Sequence, residues 1–229
     1  MPAVKTILKP CMGWGINFRY EAHGPELNSV MQNLNPYGSE LLTQVETYVR
    51  DLLGSQLPAT RTFHTLNHTV GVVRACWTLA SHYDVQEPSV EVLLTAAWFH
   101  DTGYIRGGAN HEQESVKIAV RFLRDFNLPP EFYFKIEGLI NATRITARPV
   151  GLLEEILCDA DLSHLGSAEY ETWSLLLKKE FELLTGKPMT LRAWNKQNIF
   201  FFKNHVYYTG YAREHWEPVK QRNLARLEE

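Results

Sequence analysis

From Ser39 onward the apolar residues recur at helical spacing. Leu41, Leu42, Val45, Tyr48, Val49, Leu52 and Leu53 make one wide stripe, which predicts an amphipathic helix facing a core. Gly54 and Pro58 end it. A second helix is expected over about 65–83, with Val72, Val73, Cys76, Trp77, Leu79 and Ala80 inward. Pro88 and Ser89 open a third, through Val92, Leu93, Ala96, Ala97 and Phe99, which ends near Gly103. Asn110, with Gln113 three positions later, suggests a capping box before a fourth helix carrying Val116, Ala119, Val120 and Leu123. Pro129 and Pro130 start a fifth, holding Phe132, Ile136, Leu139 and Ile140, and Pro149 separates it from a sixth around 152–157. A long seventh begins at Ser167 and breaks at 186–188. Two further helical stretches follow, over about 190–206 and 209–226. No alternating run pairs with another across a hairpin turn, and no repeat period stands out. The expectation is an all-α, single-domain helical bundle over residues 38–229.

Residues 1–37 break this pattern. Pro2, Pro10, Gly13, Gly15, Gly24, Pro25 and Pro36 interrupt them and no period is sustained. They read as a poorly ordered leader or a non-native extension, with Met31 a candidate natural start.

Composition narrows the function classes. Hydrophobic residues are 45% and charged residues 21% of 229, which suits a soluble globular protein. Lys and Arg number 23 against 26 Asp and Glu, so the basic footprint of a nucleic-acid binder is missing and no nucleic-acid polymer is expected as partner. No apolar run approaches the roughly 20 residues that span a bilayer, so no membrane partner is expected. Lys5 and Lys9 precede no apolar block of signal-peptide length. Cys11, Cys76 and Cys158 are widely separated and odd in number, which argues against zinc-finger ligation and a disulfide framework. A reducing cytoplasm is the expected compartment. Neither a phosphate-cradling glycine loop nor a G-x-S-x-G nucleophile turn occurs.

Candidate chemistry gathers in four residues: His68, the pair His100-Asp101, and Asp161. Each falls on an expected helix or at a helix end with apolar neighbours. A His-Asp pair closing the run AAWFHDTG (96–103) sets ionisable groups against a buried wall, which is costly unless compensated. A divalent cation compensates both, since neutral imidazole and ionised carboxylate are its natural ligands. The carboxylates favour harder ions; Mn, Mg, Fe, Ni and Zn are all candidates, as one or two ions.

These residues are where the chain resembles the HD-domain metal-dependent phosphohydrolases, whose pattern is H…HD…D on a helical bundle. Here the pattern reads FHTLNH (63–68), FHDTGY (99–104) and CDADLSHLG (158–166), and the resemblance covers roughly residues 40–165. The downstream stretch HVYYTGYAR (205–213) is similar to small bacterial members. The resemblance implies that His68, His100, Asp101 and Asp161 hold the metal. Asp159 is the alternative to Asp161; the string ADLS (160–163) is similar to that of the cyclic-nucleotide phosphodiesterases and favours Asp161. In that branch the motif is Y-H-N-x-x-H and its first histidine protonates the leaving oxygen. The matching His64 is therefore a candidate general acid, although Phe63 and Thr65 replace the tyrosine and the asparagine; it also reads as a helix-start residue.

Some HD enzymes use a further histidine for a second metal. His111, in HEQES (111–115), is the candidate; an exposed first-turn histidine is the other reading. Asp101 is expected to serve in catalysis as well as ligation. Arg106, in a Gly-flanked loop, and Arg144, closing INATR (140–144), are candidate partners for substrate phosphate, or solvated arginines. Lys203 and His205 are weaker candidates of the same kind. Cys158 reads as buried packing, and Phe200, Phe201, Phe202, Tyr207 and Tyr208 as core rather than a base-stacking platform. The resemblance implies hydrolysis of a phosphoester in a small phosphorylated metabolite or nucleotide, including cyclic nucleotides, by metal-activated water. The alternative is a non-catalytic, metal-containing HD module that senses a nucleotide or docks a partner.

Overall fold

The computed structural model describes Asn35 and residues 38–229. The leader and the start at Met31 lie outside the described residues. Among those described there are α-helices and short 3-10 turns and no strand. The helices are α1 (Glu40–Gln56), α2 (Leu66–His82), α3 (Ser89–Phe99), α4 (His111–Leu123), α5 (Pro130–Ala142), α6 (Leu152–Asp161), α7 (Tyr170–Thr185), α8 (Leu191–Asn204), α9 (Gly210–His215) and α10 (Glu217–Glu228). No helix among them is long and apolar enough to cross a membrane.

The centre of the bundle is α3. Nine of its side chains, from Val90 to Phe99, are buried, so it is apolar all round rather than striped, as a helix enclosed by others must be. It packs against α1, α2, α4, α5 and α6. Those neighbours are amphipathic and turn one face to it: Val45 and Val49 from α1, Val73 and Leu79 from α2, Ile136 and Ile140 from α5, Ile156 and Leu157 from α6. A second, smaller cluster joins Leu165, Tyr170, Phe202 and Leu224 under the C-terminal helices. Cys76 and Cys158 are free and buried.

Boundaries depart from the periodicity in three places. Asn110 takes a left-handed backbone (φ 59°) and makes no side-chain cap, so the expected capping box is not formed. The stretch expected as one helix over 209–226 is two, α9 and α10, meeting at Trp216 with Pro218 in the first turn of the second. The third helix stops at Phe99, and the chain continues as a 3-10 turn, Thr102–Arg106. Gly103 explains the tight path: a Cβ there would lie 1.9 Å from the His111 carbonyl oxygen. The turn is thus pressed onto the start of α4, and the Gly103 amide donates to Ser115 Oγ at 2.8 Å. His100 and Asp101 sit in the corner so formed.

Candidate metal centre

Three segments meet at the end of the bundle. His68 comes from the first turn of α2, His100 and Asp101 from the corner between α3 and the 3-10 turn, and Asp161 from the last residue of α6. One ligand atom from each lies within 4.8 Å of the others. His68 Nε2 is 3.0 Å from Asp161 Oδ1 and 3.4 Å from Asp101 Oδ2. His100 Nε2 is 3.2 Å from Asp101 Oδ2 and 3.5 Å from Asp161 Oδ1. The first three residues are buried and Asp161 is half-buried.

The donor set suits a divalent ion. His100 Nδ1–H donates to the Ala97 carbonyl at 2.8 Å, which leaves Nε2 as the ring atom facing the carboxylates. His100 Nε2 and Asp101 Oδ2 are buried without a well-formed hydrogen bond. Such orphaned polar atoms are costly, and a cation between them satisfies both. Burial lowers the pKa of His68 and His100, but Asp101 and Asp161 more than offset it, so both are raised, His100 strongly. Burial raises Asp101 and Asp161, yet the facing imidazoles, His100 foremost, hold both below the usual carboxylate range. Four side chains so charged are poised to exchange protons for a metal.

Asp159 does other work. Its two oxygens accept from the backbone N–H groups of Tyr208 (2.8 Å) and Thr209 (2.7 Å), at the start of α9. It straps the segment 205–209 onto α6 and stands outside the cluster. Tyr207 O–H adds a bond to the Leu162 carbonyl at 3.2 Å.

Beside the cluster lies a knot the sequence did not announce. Glu180, from the middle of α7, is 2% exposed. Its Oε1 accepts from His64 Nδ1–H at 2.6 Å and from Arg61 Nη1 at 3.0 Å. Its Oε2 accepts from the backbone N–H groups of Phe63 (2.9 Å) and His64 (3.1 Å). Burial raises the Glu180 pKa, but His64 and these amides outweigh it and bring it down to about 2. The His64 ring is therefore fixed with Nδ1 turned away, and Nε2 faces Tyr104 Oη at 3.4 Å. Burial, foremost, keeps that phenol protonated. Phe63 is buried, its ring against His64, His68 and His164, which fills the position where the motif has tyrosine. His164 donates Nδ1–H to the Asp161 carbonyl at 3.2 Å; burial, then the His68 charge, pushes its pKa down to about 3.

The remaining candidates separate. His111 Nε2 is 3.5 Å from Asp101 Oδ1, the oxygen turned away from His68 and His100, and its ring stacks on Tyr104 at 4.0 Å. Arg144 lines a cleft of about 310 Å³ that reaches Asp161 and is shared with Cys158, His205 and Tyr208. Arg106 is exposed and does not line that cleft. Lys203 is exposed and pairs with Glu228 at 2.5 Å. The aromatic group divides: Phe202 and Tyr207 are core, Phe200 and Tyr208 are exposed.

The HD domain family model matches residues 65–193. The chain belongs to that family, within the superfamily of metal-dependent phosphohydrolases, and its all-α bundle is the HD fold. A structural-genomics crystal structure from Lactobacillus plantarum shares the fold: TM-score 0.60 and 18% identity, covering 83% of this chain and 96% of that one. No curated protein sequence matches.

Proposed function

We propose that the protein is a metal-dependent phosphoric ester hydrolase acting on a small phosphorylated metabolite or nucleotide. The observation that carries this is the convergence of His68, His100, Asp101 and Asp161, with buried donor atoms left open toward one point. These four would hold the divalent cation. When bound, such an ion supplies Lewis-acid polarisation of a phosphoryl oxygen and lowers the pKa of water.

The chain's own residues do the rest. Expelling an alkoxide at neutral pH is slow without proton delivery, and His64 is built for it. Glu180 holds Nδ1–H, so Nε2, the edge that faces Tyr104, is the atom that would carry a proton to the leaving oxygen. Glu180 is a positioning residue: its bond to Nδ1 keeps the ring oriented. His111 stands against the outer oxygen of Asp101 and is the residue that would help hold a second ion.

This proton-donor geometry favours turnover over the alternative, a sensing or docking module. The test is a screen of the purified, metal-loaded protein against phosphomonoesters, cyclic nucleotides and dinucleoside polyphosphates. Hydrolysis of at least one class, lost in His64→Ala, is expected. Binding across the panel with no hydrolysis would establish the sensor instead.

A further inference from the structure

The cleft beside Asp161 is walled by two features that neither the cluster nor the His64 knot uses. The first is Arg144, two residues past the end of α5. It makes no side-chain hydrogen bond or ion pair within the described residues, and its Nε is buried without a partner. A guanidinium held part-way out of water and left unpaired is a binding group for an oxyanion.

The second is His205, outside the matched HD residues, just after α8. Its neighbour is Lys220 of α10, which is 1% exposed. The Lys220 ammonium has three N–H groups and three acceptors: His205 O at 2.7 Å, Glu217 Oε2 at 2.9 Å and His205 Nδ1 at 3.2 Å. An ammonium only donates, so Nδ1 must accept and the imidazole proton must sit on Nε2. Burial, then the Lys220 charge, pushes the His205 pKa down to about 4, so the ring stays neutral in this one tautomer. Nδ1 faces the buried lysine, and Nε2–H is the edge left for the cleft that His205 lines. A buried lysine is expensive unless it has a task, and fixing this tautomer is one.

We infer that the cleft is a subsite for the non-reacting part of the substrate, in which Arg144 and His205 Nε2–H together grip an oxyanion, with Lys220 as the positioning residue. The inference rests on the phosphohydrolase reading. It deepens that reading by giving the substrate class: a compact phosphoester bearing a second anionic group, phosphate or carboxylate. Two donors and no free carboxylate except Asp161, which the cluster claims, make the cleft selective for acceptors. Ile145 and Val206, both exposed at its mouth, offer apolar contact to the part between the two anions. A volume of about 310 Å³ is at the small end for ligand sites, which suits a compact anionic group.

The test is calorimetric binding to the manganese-loaded full-length protein. The probes are phenylphosphonate, 4-carboxyphenylphosphonate and 1,4-phenylenebisphosphonate. The doubly anionic probes should bind about tenfold tighter than phenylphosphonate, the effect of one charge-assisted hydrogen bond, and their ranking tells carboxylate from phosphate. Arg144→Gln and His205→Phe should each remove that preference and leave phenylphosphonate unchanged. His205→Gln, which keeps an N–H donor, should restore it to within about threefold. Nitrogen-15 spectra of the wild-type protein should show His205 protonated at Nε2 only; Lys220→Met should mix the tautomers and weaken the preference. Equal binding of the probes, no binding of any, equal losses for all three in Arg144→Gln, or an Nδ1-protonated His205 each overturns the subsite. An intact preference in a protein that hydrolyses nothing sinks the hydrolase reading and leaves the subsite standing.

Discussion

Two buried acidic centres sit side by side in this molecule and are built on opposite principles. Around Glu180 every oxygen is spoken for: two side-chain donors and two backbone amides converge on one carboxylate. Around Asp101 and Asp161 the charges face each other at 3.0–3.5 Å, and Asp101 Oδ2 and His100 Nε2 lack a proper hydrogen bond. A saturated carboxylate stabilises and orients; an open one is a socket. The difference teaches where to look for chemistry in a buried polar network: at the atoms the fold leaves unpaid.

Breaking the open centre should have the largest effect. Asp101→Ala removes the one carboxylate that faces both the cluster and His111. Metal content by elemental analysis should fall to background and phosphoester hydrolysis should be lost. Full metal occupancy with wild-type turnover in that variant would refute the ligand assignment.

Breaking the saturated centre should give a different signature. Glu180→Gln leaves the ligands alone, so metal content should stay at the wild-type level. It loosens His64, and turnover should fall about 10²-fold, the usual worth of a positioned general acid. It also removes a buried ion pair, at a cost of about 3 kcal/mol in chemical denaturation.

The pH dependence sharpens this further. The folded Glu180 pKa is about 2 against an ordinary 4.5, so its contribution is fully present above the ordinary value and is lost as pH falls from 4.5 through 2. The stability gap between wild type and Glu180→Gln should therefore be widest near neutrality and shrink by about 3 kcal/mol in strong acid. A gap that widens on acidification contradicts the saturated picture.

Asp159→Asn tests the contrast within one helix. It stands two residues from Asp161 but serves the backbone of Tyr208 and Thr209. The change should cost about 1–2 kcal/mol and leave metal content untouched. The smallest effect is expected for Arg106→Ala: exposed and outside the cleft, it should change turnover less than about twofold.

The open centre was legible in the sequence and the saturated one was not. His68, His100, Asp101 and Asp161 stand in strings whose apolar surroundings already raise the question of what compensates them. The preference for Asp161 over Asp159 rested on the ADLS resemblance; the physical reason, two backbone amides 49 and 50 residues away, belongs to the fold. Glu180 lies in KKEFE, which reads as a solvated helix face, and its partners are 116 to 119 residues distant. Lys220 was hidden the same way, in a polar helix. Periodicity found the helices because burial on one face sets the spacing. It missed the break at Trp216 and the uncapped Asn110, where tertiary contact rather than local preference decides.

The most direct measurement is an anomalous difference map of crystals of the manganese-loaded protein. A peak is predicted within about 2.0–2.4 Å of His68 Nε2, His100 Nε2, Asp101 and Asp161, with none at Glu180 or Asp159. A map with no peak at those four side chains, from protein that still hydrolyses phosphoesters, contradicts the account.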